Sequence, residues 1–170
     1  MTTDRSNDYF VGLVRELRTL PRETEWVEFK VNNSNPVEIG EYISALANSA
    51  ALLDKPRAYV LWGIEDGTRR VVGTTFEPAT VKQGNEDLEH WLTRLLQPQI
   101  PFRFHTCEID GARVVLLEID SALHQPVRFS GEAYIRVGSY KKKLKDHPEK
   151  ERALWQRFTG PRPASPPLDA

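Results

Sequence analysis

Three consecutive pieces between Arg22 and Asp66 decide how this chain folds: R-E-T-E-W-V-E-F-K-V-N-N from Arg22 to Asn33, N-P-V-E-I-G-E-Y-I-S-A-L-A-N-S-A from Asn35 to Ala50, and A-Y-V-L-W-G-I-E-D from Ala58 to Asp66. In the first, Val27, Phe29 and Val31 alternate with Trp26, Glu28 and Lys30, the period-two pattern of a half-buried strand. The second opens with Asn35, Pro36 and Glu38 at the N-cap, first and third helical positions. Ile39, Ile43, Leu46, Ala47 and Ala50 then recur at helical spacing. The third is short and almost wholly apolar, as expected of a strand covered on both faces. Two strands joined by a packed helix run parallel with a right-handed crossover. That arrangement brings Glu28 to the same sheet edge as Glu65 and Asp66, where open α/β sheets place ligands.

Working outward, Phe10, Leu13, Val14 and Leu17 predict an amphipathic helix that Pro21 closes. The segment Leu52 to Arg57 reads as a loop with a proline stop. Asp66-Gly67 predicts a turn into a hairpin partner at Arg70–Gly73. Leu88, Trp91, Leu92, Leu95 and Leu96 form a helical stripe ended by Pro98 and Pro101. Asp110-Gly111 marks a second hairpin, followed by a continuous apolar strand from Ala112 to Ile119. Ala133 to Val137 is a further strand. The Lys141 to Lys145 run reads as a turn before a last helix, with Asp146 and Glu149 at capping-box spacing. The fold expected is α/β, grading to α+β at its edges: a mixed sheet with packed helices in one domain. The expected boundaries are an N-terminal helix over 1–20, the domain over 21–158, and a Pro-rich tail or linker over 159–170.

Composition narrows the function. The chain has 170 residues, 39% hydrophobic and 28% charged, and a net charge of −1. No global field draws it to nucleic acid, so such binding needs a local patch. The single cysteine, Cys107, excludes an internal disulfide and fits a reducing cytoplasm. Zinc finds no Cys or His partners at ligand spacing around His105 or His124. No G-x-x-x-x-G-K-[ST] sequence is present, so there is no phosphate-binding loop of that type.

The motifs E-T-E-W-V-E-F-K, A-L-A-N-S, V-L-W-G-I-E-D and A-Y-I-R-V-G-S, in that order, resemble the Schlafen AlbA-type nucleic-acid-binding domain family. The resemblance spans roughly Pro21 to Phe158 and implies an RNA- or DNA-binding domain. Many such domains carry a glycine pair in the loop that here runs from Leu52 to Arg57, which predicts a local loop difference. In the relatives that cleave RNA, an acid precedes the V-E-F-K glutamate by five positions and a third follows the later strand. That implies Glu23, Glu28 and either Glu65 or Asp66, with Asp66 favoured, as catalytic ligands for Mg²⁺ or Mn²⁺ in an endoribonuclease. Residues five apart on a straight strand face opposite sides, so Glu23 belongs before a bend or in the loop after Pro21. Each acid also has a plain structural reading: Asp66-Gly67 as a turn, Glu28 as a partner of Lys30 or Arg136.

The candidate nucleic-acid contacts are Lys30, Arg128, Arg136, Ser139, Lys141, Lys142, Lys143 and Lys145. Lys30 is placed to meet the scissile phosphate. Arg136 alternates with Ile135 and Val137 and so points off the core face, towards phosphate or into an ion pair with the acids. The lysine run is either a phosphate-binding patch or a solvated turn. Asn48 caps the helix or binds a neighbouring strand. The rival function is a non-catalytic regulatory or protein-interaction module, and homo-oligomerisation stays open.

Overall fold

The computed structural model describes residues 7–22 and 24–160. Its elements, in order, are α1 (Asn7–Leu17), β1 (Val27–Lys30), α2 (Pro36–Leu52), β2 (Arg57–Trp62), β3 (Lys82–Gln83), β4 (Glu86–Asp87), α3 (Leu88–Leu95), β5 (Leu96–Gln97), β6 (Phe102–Ile109), β7 (Ala112–Asp120), β8 (Arg128–Phe129), β9 (Glu132–Val137), β10 (Tyr140–Lys143) and α4 (Pro148–Thr159). β1 and β2 pair in parallel, with Glu28 beside Val60 and Lys30 beside Trp62. β7 and β6 extend the sheet antiparallel, in the order β1-β2-β7-β6. The mixed α+β architecture is the one the sequence pattern implied.

α2 starts where its cap dictates. The Asn35 side chain accepts from the Glu38 backbone N–H at 3.1 Å, and Pro36 needs no partner for a missing N–H. Its other end is a Schellman turn: Lys55 N–H donates to Ala50 at 2.8 Å and Asp54 N–H to Ala51 at 3.3 Å. Asp54 takes the left-handed conformation, with φ 58°, that glycine usually supplies. The loop therefore closes without the glycine pair, and Arg157 of α4 ties Asp54 down at 2.7 Å.

The four-stranded sheet is covered on both faces. Val27, Phe29, Tyr59, Leu61, Val114 and Leu116 face α1, which supplies Phe10, Val14 and Leu17. Val60, Trp62, Val115, Leu117 and Ile119 face α2. A second sheet, β10-β9-β8-β5, lies against another side of α2. Sandwiched in this way, α2 is buried from Ile39 to Ala50 apart from Glu41 and Tyr42. Small residues make that tolerable: at Gly40 an added Cβ would lie 2.2 Å from the Phe129 ring.

Several expectations change. Arg70–Gly73 does pair antiparallel, but too briefly to form a strand: one bridge, Ile64 to Val71, is flanked by Glu65 N–H donating to Arg70 O at 2.9 Å and Val72 N–H to Gly63 O at 2.8 Å. Leu96 leaves the helical stripe and enters β5, where it pairs with Phe129. α4 is capped by His147 without a side-chain hydrogen bond, not by Asp146. The lysine run is not a simple turn: its first half is β10, the edge strand of the second sheet, and Leu144 then buries itself at 2% exposure. The tail beyond Gly160 lies outside the described residues.

Candidate nucleic-acid interface

Glu28 faces α2 because its neighbours Val27 and Phe29 occupy the opposite core. Arg136 reaches it from β9. The strand is aimed by three polar residues of α2: Tyr134 N–H donates to Ser44 Oγ at 2.9 Å, Asn48 Nδ2 donates to Tyr134 O at 2.9 Å, and Arg136 N–H donates to Ser49 Oγ at 3.0 Å. Asn48 also exchanges two bonds with Val127, at 3.1 and 2.8 Å. Of the two structural roles expected for Asn48, binding the neighbouring strand is the one realised.

Arg136 is 2% exposed, so it does not present its guanidinium at the surface. Its Nη1 lies 2.8 Å from Glu28 Oε1, and its Nε donates to Gly138 O at 3.3 Å. Among the described residues Nη1 meets no acceptor with good hydrogen-bond geometry, so the contact with Glu28 is chiefly one of charge. Glu28 Oε2 has Lys30 at 3.7 Å. Burial pushes the Glu28 carboxyl above its ordinary value; Arg136 and Lys30 pull it down, and the negative charge of Asp66 pushes it up again. The alternative that read Arg136 as an ion-pair partner of the acids thus describes its geometry.

A second layer surrounds the pair. Lys30 and Lys141 each place an ammonium 4.7 Å from the Tyr42 ring centroid. Lys141 also binds Glu41 at 2.5 Å, and Glu41 accepts from Tyr134 Oη at 3.2 Å. Burial and the Glu28 charge push the Tyr42 phenol up to about 12. Glu25 accepts from Gly138 N–H at 2.7 Å, tying the approach to β1 to the β9–β10 turn. Exposed Ser139 and Asp66, with Pro21, Arg22 and Gly67, line a groove of about 600 Å³ beside it.

The remaining cations spread outward. Lys142, Lys143 and Lys145 are exposed; Lys143 and Lys145 share Glu132, at 3.9 and 3.5 Å. Arg128 is exposed on β8, one strand beyond β9. The structure therefore gathers Glu28, Asp66, Lys30, Arg136, Ser139 and Lys141 at one rim, with the other lysines along its edge strand. Glu23 lies outside the described residues. Among the described residues no three His, Cys, Asp or Glu side chains could hold a metal ion. With Arg136 and Lys30 already facing Glu28, the described residues alone do not form an ion site.

Sequence reasoning missed Glu25, Glu41, Tyr42, Ser44 and Ser49. A signal was present for part of this set. Glu41, Ser44 and Asn48 fall at i, i+3 and i+7 of a helix otherwise rich in apolar residues, a polar stripe that must find polar partners when buried.

The family model described as Schlafen, AlbA_2 matches residues 23–145, and the chain belongs to that family. Both α1 and α4 lie outside the matched span yet pack on the domain. Among solved structures, the DIP2311 protein from Corynebacterium diphtheriae is similar, with a TM-score of 0.52 and 18% identity over 95% of this chain. This chain spans only 30% of that protein, and at such identity the likeness speaks for the fold alone. The N-terminal domain of a RecG-related protein from Nitrosomonas europaea aligns with a TM-score of 0.48 and 21% identity, over 76% of this chain and 89% of that domain. No curated protein matches the chain. No helix among the described residues is long and apolar enough to cross a membrane.

Proposed function

We propose that this protein binds nucleic acid, RNA or DNA, along the rim formed by β10, the Gly138-Ser139 turn and the loop around Asp66. The observation that carries the reading is the placement of Lys142, Lys143 and Lys145 on and just after an exposed edge strand, with one carboxylate, Glu132, within reach of two of them. That surplus of positive charge is local, as a chain of net charge −1 requires. The buried Glu28–Arg136 pair contributes by fixing the turn that carries Ser139, not by touching phosphate. Family membership agrees with this reading.

The test is fluorescence anisotropy with a labelled unstructured RNA and with duplex DNA between 50 and 200 mM salt, on the order of the range where counterion release is readily measured. If the three exposed lysines each neutralise one phosphate, replacing all three with alanine lowers the slope of log K against log salt by about 2 on single strands. Absence of binding at the lowest salt, or an unchanged slope in the triple variant, refutes the patch and favours a protein-interaction module.

A finer reading, endoribonuclease activity with Mg²⁺ or Mn²⁺ held by Glu23, Glu28 and Asp66, is supported by the action of the Asp66 charge, from the loop after β2, on Glu28 of the parallel neighbour β1. A bound dication would supply Lewis acidity and a water of lowered pKa. The expected outcome is RNA cleavage with Mn²⁺ that chelator and Asp66→Asn both abolish. Cleavage surviving either one refutes it.

A further inference from the structure

Tyr140 is the most exposed large hydrophobic side chain among the described residues, at 69%. It opens β10 directly after the turn made by Gly138, whose φ is 62°, and Ser139. Strand alternation puts Tyr140 and Lys142 on one face of β10, with Lys141 and Lys143 on the other. The two faces do different things. Lys141 is committed to Glu41 and Tyr42. Lys142 has no carboxylate within ion-pair distance among the described residues, and its ammonium lies 5.6 Å from the Tyr140 ring centroid. Tyr140 pairs in register with Val137 across the hairpin, and its ring joins none of the hydrophobic clusters. A large aromatic face kept in water, held only by an exposed cation–π approach of Lys142, adds little to the fold, and the pair matches the two parts of a nucleotide, a flat base and a charged phosphate.

We propose that Tyr140 stacks on an unpaired base while Lys142 meets the adjoining phosphate, so that the protein selects single-stranded nucleic acid over duplex. The proposal rests on the nucleic-acid reading above and adds the substrate class. In a duplex the base faces are hidden in the stack, and an exposed ring has nothing to cover. In a single strand each base offers its face, and stacking is sequence-tolerant.

The test compares a labelled unstructured 15-nucleotide strand with the duplex made from it, using the whole chain as wild type, Tyr140→Ala, Tyr140→Phe and the triple lysine variant. Tyr140→Ala is expected to weaken single-strand binding about fivefold or more, to leave duplex binding within about twofold, and to keep the salt slope, since stacking releases no counterions. Tyr140→Phe retains the ring and is expected to bind as wild type. An equal loss on both nucleic acids, no loss on either, or a failure of Tyr140→Phe to bind overturns the proposal. In those cases a reduced slope in the lysine variant leaves the broader reading standing. A wild type that binds neither probe overturns both. A pull-down partner that resists nuclease and depends on Tyr140, with nucleic-acid binding intact in Tyr140→Ala, assigns the ring to a protein contact instead.

Discussion

Replacing Arg136 with methionine separates a buried ion pair from a surface contact. At 2.8 Å and an effective dielectric of about 20, the attraction to Glu28 is about 6 kcal/mol before desolvation is subtracted. Removing one partner of such a pair costs about 3–5 kcal/mol, because the other charge stays buried and uncompensated. Lys30, 3.7 Å from Glu28, remains and limits the damage, so about 3 kcal/mol is expected. For a chain of this size that lowers Tm by about 6–12 °C. The pH dependence identifies the cause. The folded Glu28 carboxyl titrates above its ordinary 4.5, so folding takes up a proton there. Its contribution favours the fold fully below about pH 4.5 and is lost as pH rises through the elevated folded value. Without Arg136 the value climbs further, since burial and Asp66 persist. Urea melts are therefore expected to show the largest deficit near pH 8 and a smaller one near pH 5. Adding Glu28→Gln to the variant should recover part of it. A deficit that ignores pH, or a double variant no better than the single one, would refute the account of Glu28 as a strained buried acid.

Asn48→Ala leaves the Val127 N–H, which is fully buried, and the Tyr134 carbonyl, which is partly so, without the amide that binds them, and is expected to cost about 3 kcal/mol by chemical denaturation. A loss under 1 kcal/mol, on the order of an ordinary exposed hydrogen bond, would show that β9 is held by packing instead. Gly40→Ala drives a methyl into the Phe129 ring and should destabilise by about 1–3 kcal/mol, with Phe129→Leu restoring part of the loss. Free thiol titration of the folded protein should find Cys107 slow to react at pH 8, because burial pushes its thiol up; rapid labelling without unfolding would contradict its place in the core.

Much of the fold was legible because its signals are local. Asn35, Pro36 and Glu38 specify a helix start whatever surrounds them, and Asp110-Gly111 specifies a turn, both residues taking positive φ as a tight hairpin requires. The misplaced elements were those whose state depends on a distant partner. Leu96 continues a helical period but is drawn into β5 by Phe129, 33 positions away. The lysine run has poor strand propensity and becomes a strand because β9 offers it a free edge. Arg136 was legible as a residue off the core face but not as buried, since burial depends on Glu28 arriving from the other sheet.

The order of apolar and capping residues was enough to set a parallel pair with a helix between, and to bring Glu28 and Asp66 to one edge, because hydrophobic period and crossover handedness are properties of the chain itself. Only the tertiary structure decided what those acids face. Charge carries no periodicity that names its partner; the approach of β9 to α2, through Ser44, Asn48 and Ser49, delivers Arg136 to Glu28 and leaves Tyr140 and Lys142 in the solvent.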